Sequence, residues 1–302
     1  MGKDVTEMHE VEVKGILSAS GGLNGAGHGM NLYRGCSHGC IYCDSRSKCY
    51  GMTHDFEDIE VKINAPELLE RALRKKKSRC MIGTGAMCDP YLHIEEQLRL
   101  TRRCLEIIDR YGFGLTVLTK SARILRDLDL LRHIHAQSKC VVQMTLTTYD
   151  ESLCRIVEPN VSTTAERVEV LKIMRDNGIP TVVWLCPILP FLNDTEENLR
   201  GILDYCVEAE VKGIVCFGMG MTLREGDREY YYAALDRHFP GLRQRYISRY
   251  GNAYHLPSPN SSRLMRIFGD TCRAHGILYR PDEVFAYLNA FPDDGFEQIT
   301  LF

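Results

Sequence analysis

From residue 80 to residue 217, short apolar runs alternate with longer amphipathic stretches. No other feature restricts the fold as much, because strand–helix repeats at this period imply parallel strands joined by right-handed crossovers. Residues 80–85, 114–119, 140–147, 181–186 and 213–217 read as strands. Helical patterns cover 65–77, 95–111 and 122–135, then run from Ser162 or Thr163 to Asp176 and from Asp194 or Thr195 to Glu210. Asn64 is a candidate cap with Pro66 in the first turn, and Asn177-Gly178 ends the helix before residue 181. With a strand just before Cys36 the count is six units by residue 220, short of the eight in a closed TIM barrel. The expectation is an α/β fold: a partial (β/α)6 TIM-type barrel over 30–220, after an N-terminal segment, 1–29. A helix-rich C-terminal extension, 221–302, follows, with a Pro-bearing loop at Leu256-Pro257-Ser258-Pro259 and a tail at 297–302.

Composition narrows the class. Of 302 residues, 44% are hydrophobic and 25% charged, which suits one large globular domain with an extension. No apolar run approaches the roughly 20 residues of a membrane span. The polar start Met1-Gly2-Lys3-Asp4 lacks the apolar core of a secretory signal, so a soluble cytoplasmic protein is expected. Thirteen cysteines is an odd number, and most are scattered through apolar runs. They read as reduced thiols packed as small hydrophobes, not as a disulfide framework.

Three cysteines stand apart. Cys36, Cys40 and Cys43 are spaced C-x3-C-x2-C within a single loop. Thiolates this close can hold a 4Fe–4S cluster. Three ligands leave one iron without a protein partner, and an open position is what makes a metal site reactive. Two other readings remain open for this loop: a zinc site that adds His38, and an inert redox cluster that adds Cys49 as a fourth ligand.

The net charge of −3 offers no general attraction to a polyanion. Residues 221–280, however, hold ten Arg and no Lys against five acidic residues, 10 − 5 = +5. Arg243, Arg245 and Arg249, then Arg263, Arg266 and Arg273, recur at helical intervals. The pattern fits a solvated helix face or a phosphate-facing surface.

The cysteine loop, with Tyr42 before its third cysteine, resembles that of radical S-adenosylmethionine (SAM) enzymes. Asn31-Leu32-Tyr33-Arg34-Gly35-Cys36, Cys88-Asp89-Pro90-Tyr91, Thr119-Lys120-Ser121, Glu158-Pro159 and the stretch from Pro187 to Asp194 are similar to the spore photoproduct lyase-like branch. The matches run in consistent order from residue 30 to 195. The resemblance implies that Cys36, Cys40 and Cys43 hold three irons while SAM chelates the fourth. Reductive cleavage of SAM would then give a 5′-deoxyadenosyl radical that takes a hydrogen atom from the substrate. It also implies SAM contacts at Gly83, Thr84 and Gly85, at Lys120 and Arg167 for the SAM carboxylate, and at Thr145, where the lyase has Ser. Cys88 occupies the approximate place of a cysteine that donates a hydrogen atom to the product radical, and Tyr42 and Tyr91 are radical-relay candidates. Gly83 to Gly85 also reads as a plain turn, Arg167 as a surface helix arginine and Cys88 as a loop thiol.

The sequence end, Gln298-Ile299-Thr300-Leu301-Phe302, resembles the short motif by which repair proteins dock on the bacterial sliding clamp. The expected partners are thus a reductant of flavodoxin or ferredoxin type, DNA and the clamp. Three functions compete: radical SAM chemistry on a DNA lesion; the same chemistry on a peptide, RNA or small molecule; and a non-catalytic iron–sulfur protein.

Overall fold

The computed structural model describes residues 8–18 and 27–292, so the clamp-like tail lies outside the described residues. In chain order the strands are β1 (Met8–Val11), β2 (Leu17–Ser18), β3 (His28–Met30), β4 (Tyr33–Arg34), β5 (Ile59–Lys62), β6 (Met81–Thr84), β7 (Gly114–Thr119), β8 (Cys140–Thr145), β9 (Thr181–Trp184), β10 (Gly213–Val215), β11 (Gly220–Thr222) and β12 (His255–Pro257). Seven of them form one sheet in the order β10-β9-β8-β7-β6-β3-β2. The five junctions from β3 to β10 are parallel, and β2 runs antiparallel to β3. Six parallel strands are laid down in sequence order, the number expected, but the first is β3 and not the strand directly before Cys36: that one, β4, pairs with β5 in a separate small sheet. Among the described residues β2 and β10 do not pair with each other, so the arrangement is an open, mostly parallel sheet with helices.

Both faces of the sheet are covered, which is why its strands read as continuous apolar runs. Val142, Met144, Val183 and Ile214 join the main core beneath the helices. Their alternates Val141, Val182, Trp184 and Val215 face the other way and pack with Val284 and Leu288 of the helix Pro281–Asn289. That helix lies across this face, with Phe285 near Trp184 and its last residues at the N-terminal ends of the strands. Lys139, just before β8, donates to the carbonyls of Tyr287 and Ala290, and Gly114 at the start of β7 leaves room for Phe291. Beside β10, Ile214 donates to the Leu278 carbonyl at 2.8 Å, so the edge is shielded by chain from the extension. The C-terminal ends of the strands stay open.

Several boundaries differ from expectation for identifiable reasons. The first helix is Ala65–Arg74, but the Asn64 side chain does not cap it. Asn64 instead exchanges hydrogen bonds with the backbone N–H and C=O of Val13, at 3.1 and 3.0 Å, and pins the N-terminal segment. Residues 95–111 form two helices, Glu95–Leu98 and Leu100–Arg110, broken at Arg99 with φ 48°. The buried Glu95 carboxylate accepts from Thr101 N at 2.7 Å, satisfying an N–H at the start of the second helix. Residues 122–135 open as a 3-10 turn, Ala122–Asp127, before the helix Leu128–Gln137. Thr163 caps Thr164–Asp176 in a capping box with Glu166, and Thr195 caps Glu196–Glu208.

The extension holds the helices Asp227–His238, Leu242–Tyr250, Ser261–His275 and Pro281–Asn289. It also holds an unforeseen antiparallel pair, β11 with β12. A small sheet, β1-β5-β4, flanks the cysteine loop. No helix among the described residues is long and apolar enough to cross a membrane.

Candidate functional site

A cavity of about 540 Å³ lies at the C-terminal ends of β6 to β10, where parallel α/β folds ordinarily place their chemistry. The three cysteines of the loop line it, together with Gly85, Cys88, Lys120, Thr145 and Trp184.

The loop is held by backbone. Cys36 N–H donates to the Phe56 carbonyl at 2.8 Å and Ile41 N–H to that of Val157 at 3.0 Å. Asn160 clasps it again, through its N–H to the His38 carbonyl and its amide to that of Ser37. Gly35 has φ 80°, and a Cβ there would lie 2.6 Å from the Asp58 carbonyl oxygen, so only glycine fits. The segment Glu158-Pro159-Asn160 is therefore a clamp on the cysteine loop.

Behind the loop is a buried charge network. Glu158 accepts from the Tyr42 hydroxyl and pairs with Arg167 at 2.5 Å. Arg167 also donates to the Thr145 carbonyl at 2.7 Å. Burial works against the Glu158 charge, but Arg167 and Lys120 outweigh it and hold the carboxyl below its ordinary range. Burial likewise opposes the Lys120 charge, yet Cys40, Glu158 and Cys43 raise that ammonium above its usual value. Two cations against one carboxylate leave this wall with a positive surplus facing thiols.

Asp89 ties the neighbouring strand ends together. Its carboxylate accepts from Thr119 Oγ1, Lys120 N and Tyr91 N at 2.7 to 2.8 Å, and lies 3.6 Å from His38 Nδ1. Burial pushes the Cys40 and Cys43 thiols up, whereas a hydrogen bond with Cys88 and the nearby His38 bring Cys36 down. Each of these two upward shifts also carries the influence of Cys36, so the three sulfurs share one locale.

The expected residues fall into two groups. Gly85, Lys120, Thr145, Cys88 and Tyr42 all reach the cavity. Gly85 has a steric reason of its own, since a Cβ would meet the Leu118 carbonyl oxygen at 1.9 Å. Gly83 and Thr84 are buried in β6, away from the cavity lining. Arg167 is neither a surface arginine nor a cavity residue: it is fully buried, its guanidinium committed to Glu158 and Thr145. The Cys88 thiol donates to the Gly35 carbonyl at 2.7 Å, so it sits against the cysteine loop. Cys49 is exposed, outside the cavity, 3.5 Å from Arg224, which removes it as a fourth cluster ligand.

The zinc reading fails on spacing. No three of Cys36, His38, Cys40 and Cys43 bring their ligand atoms within 4.8 Å of one another, as donors sharing one tetrahedral ion would. A cubane binds each thiolate through a different iron, so it fits the wider set. The donor chemistry, three converging soft thiols beside surplus positive charge, suits an anionic cluster.

Sequence reasoning missed the rest of the lining. Trp184 is fixed by Nε1 donating to Gln143 at 2.6 Å, and Gln143 by donating to Thr116 at 2.6 Å. Phe217 stands edge-on to it at 6.0 Å and stacks on Phe285, yet remains 61% exposed. Met219, Met221 and Leu256 continue this apolar side. A run of apolar residues after a short strand carries no signal that it faces a cavity.

Comparison with known proteins agrees with this architecture. An uncharacterized protein of Mycobacterium tuberculosis (strain ATCC 25618 / H37Rv) is 30% identical over 248 residues, spanning 78% of this chain and 71% of its own length. One from Methanocaldococcus jannaschii is 34% identical over 178 residues, 58% of this chain and 65% of its own. Among solved structures, a spore photoproduct lyase mutant with bound AdoMet and dinucleoside spore photoproduct superposes with a TM-score of 0.64 at 14% identity, covering 90% of this chain and 81% of that one. At that identity the likeness is one of fold. The sequence model of the Radical SAM superfamily matches residues 30–232. That match takes in the cysteine loop and the five parallel strands β6 to β10, and the chain belongs to the radical SAM superfamily, whose members use a 4Fe–4S cluster and SAM.

Proposed function

We propose that the chain is a radical SAM enzyme that abstracts a hydrogen atom from a substrate entering the cavity, with a DNA lesion as that substrate. The observation that carries the chemistry is the wall on which the thiols of Cys36, Cys40 and Cys43 and the Lys120 ammonium converge. When bound, the cluster and SAM supply a one-electron cleavage that yields a hydrogen-abstracting 5′-deoxyadenosyl radical.

The chain's own residues then do the following. Cys36, Cys40 and Cys43 hold the cluster. Lys120 offers a positive charge to the SAM carboxylate at the end of β7, and Gly85 and Thr145 border the same space. Arg167 acts at one remove, positioning Thr145 and Glu158, while Glu158 orients Tyr42. Trp184, Met219 and Met221 exclude water from the reacting centre, and Phe217 forms the solvent-facing rim. Cys88 keeps a thiol in the lining and is the candidate hydrogen-atom donor. A flavodoxin or ferredoxin would deliver the electron, and the clamp would recruit the enzyme to DNA.

Support for DNA comes from the fold shared with spore photoproduct lyase and from the arginines of the extension. A second reading, a peptide, RNA or small-molecule substrate, gains from the pairing of those arginines. Arg243 is bonded to Asp236, Arg263 to Glu196 and Arg273 to Asp270, which leaves less free charge for phosphates.

Reduced, cluster-loaded protein with SAM is expected to form 5′-deoxyadenosine; none formed would favour a non-catalytic cluster protein. Stimulation by ultraviolet-damaged DNA, with salt-sensitive binding lost on replacing Arg245 and Arg249, supports the DNA reading. Product formation unchanged in Cys88→Ala removes the donor role.

A further inference from the structure

We propose that His9, His54 and Asp58 bind a divalent transition metal, zinc being the fitting ion. The site would clip the N-terminal strand to the turn on which the cysteine loop rests. One ligand atom from each side chain lies within 4.8 Å of the other two. The two imidazole rings are 4.6 Å apart, centroid to centroid. Zinc holds its donors at about 2.0–2.2 Å, so side-chain shifts of an ångström or so close this set around one ion.

The three residues are brought together by strand pairing. β1 runs parallel to β5 with His9 opposite Glu60, and Asp58 lies two residues before Glu60. His54 is in the loop leading to that turn. Its Nε2 is 3.1 Å from Glu60 Oε1, and a carboxylate on one ring nitrogen is how metal-bound imidazoles are commonly oriented; its Nδ1, the nitrogen left for the ion, lies 3.1 Å from the Asp55 carbonyl oxygen, a contact the ion would replace. Arg34 also lies 3.4 Å from that Glu60 oxygen, which keeps Glu60 an orienting group and leaves Asp58 as the ligand.

Two imidazoles and a carboxylate suit zinc and its first-row neighbours better than calcium or magnesium. All three residues are half-buried, so water can complete the coordination. They border neither the main cavity nor the smaller one beside Tyr33, which makes the role structural.

The mechanical consequence is local. Asp58 N–H donates to the Asp55 carbonyl at 3.0 Å, and within that turn the Phe56 carbonyl receives Cys36 N–H. A metal at Asp58 therefore braces the backbone against which Gly35 and Cys36 dock. The site stands independently of what the radical attacks.

The test uses full-length protein with its cluster loaded, titrated anaerobically with Co2+ and, separately, with Zn2+. One equivalent beyond the cluster iron is expected, with cobalt d–d bands but no strong thiolate-to-cobalt absorption. Zn2+ should raise the melting temperature. His9→Ala and Asp58→Asn should each weaken binding at least tenfold and remove the Zn2+-dependent rise in melting temperature. Met8→Ala, exposed on the other face of β1, should do neither. Circular dichroism of each variant separates a lost ligand from a lost fold, and His54→Gln provides a milder third variant. No metal beyond iron, a thiolate-type cobalt spectrum, or unchanged affinity in folded His9→Ala and Asp58→Asn would overturn the proposal.

Discussion

Two buried carboxylates illustrate how differently the molecule treats charge in its interior. Glu158, behind the cysteine loop, sits between Arg167 and Lys120 and is held in its charged form. Asp227, at the start of the helix that follows β11, accepts from Arg224 N, but burial pushes its pKa up to about 6. The loop side invests in compensated charge, where each ion is costly unless its partners are fixed beforehand. The β11 side relies on apolar and aromatic surface, with Phe217 open to solvent. The first kind of wall suits a cofactor of constant shape and charge. The second suits a substrate that must come and go.

The sharpest way to break this contrast is Arg167→Met. It strands Glu158 without its ion-pair partner, and loss of one member of a buried pair costs about 3–5 kcal/mol. Chemical denaturation should show a loss of this size; one below about 1 kcal/mol would mean that the network is not fixed by the pair. Lys120→Met should weaken SAM binding about 10- to 100-fold, equivalent to about 1.4–2.8 kcal/mol. Folding stability should change much less, because Glu158 keeps Arg167 as its ion-pair partner. Calorimetry with unchanged SAM affinity would remove Lys120 from the site.

Asp227 gives an effect of opposite sign. Its folded pKa lies above its unfolded one, so its protonated form is favoured in the native state. Stability is retained below the unfolded pKa and falls as pH rises from about 4 through 6. Asp227→Asn should flatten that fall, gaining up to about 2 kcal/mol over wild type by pH 7. A difference between the two that does not vary with pH would remove the buried-acid account. The smallest stability effect belongs to Phe217→Ala, within about 0.5–1 kcal/mol, because the ring is largely exposed. Cleavage of SAM should persist while substrate turnover drops several-fold; loss of both together would blur the division between the walls.

The parts legible in the sequence were those with local causes. Five strands showed as apolar runs because both sheet faces are covered, and the cysteines showed because one loop carries all three. Thr163 and Thr195 cap helices through neighbours three residues away. What stayed hidden depends on partners far along the chain. Nothing near Asn64 announces that its amide is used on Val13, and the helix break at Arg99 depends on how Glu95 is placed among Tyr33, Thr101 and Arg126. Arg167 looked like one more helix arginine because its partner Glu158 belongs to a preceding turn. The arginine periodicity from 243 to 273 was real, but it could not show which of those charges meet acidic residues.

The indole of Trp184 lines the cavity, and it is the chain's single tryptophan. Its fluorescence therefore comes from this cavity alone, without a background from elsewhere in the fold. Iron–sulfur clusters absorb broadly where tryptophan emits, so loading the cysteine loop should quench that light by energy transfer. The protein carries a built-in optical gauge of its own assembly.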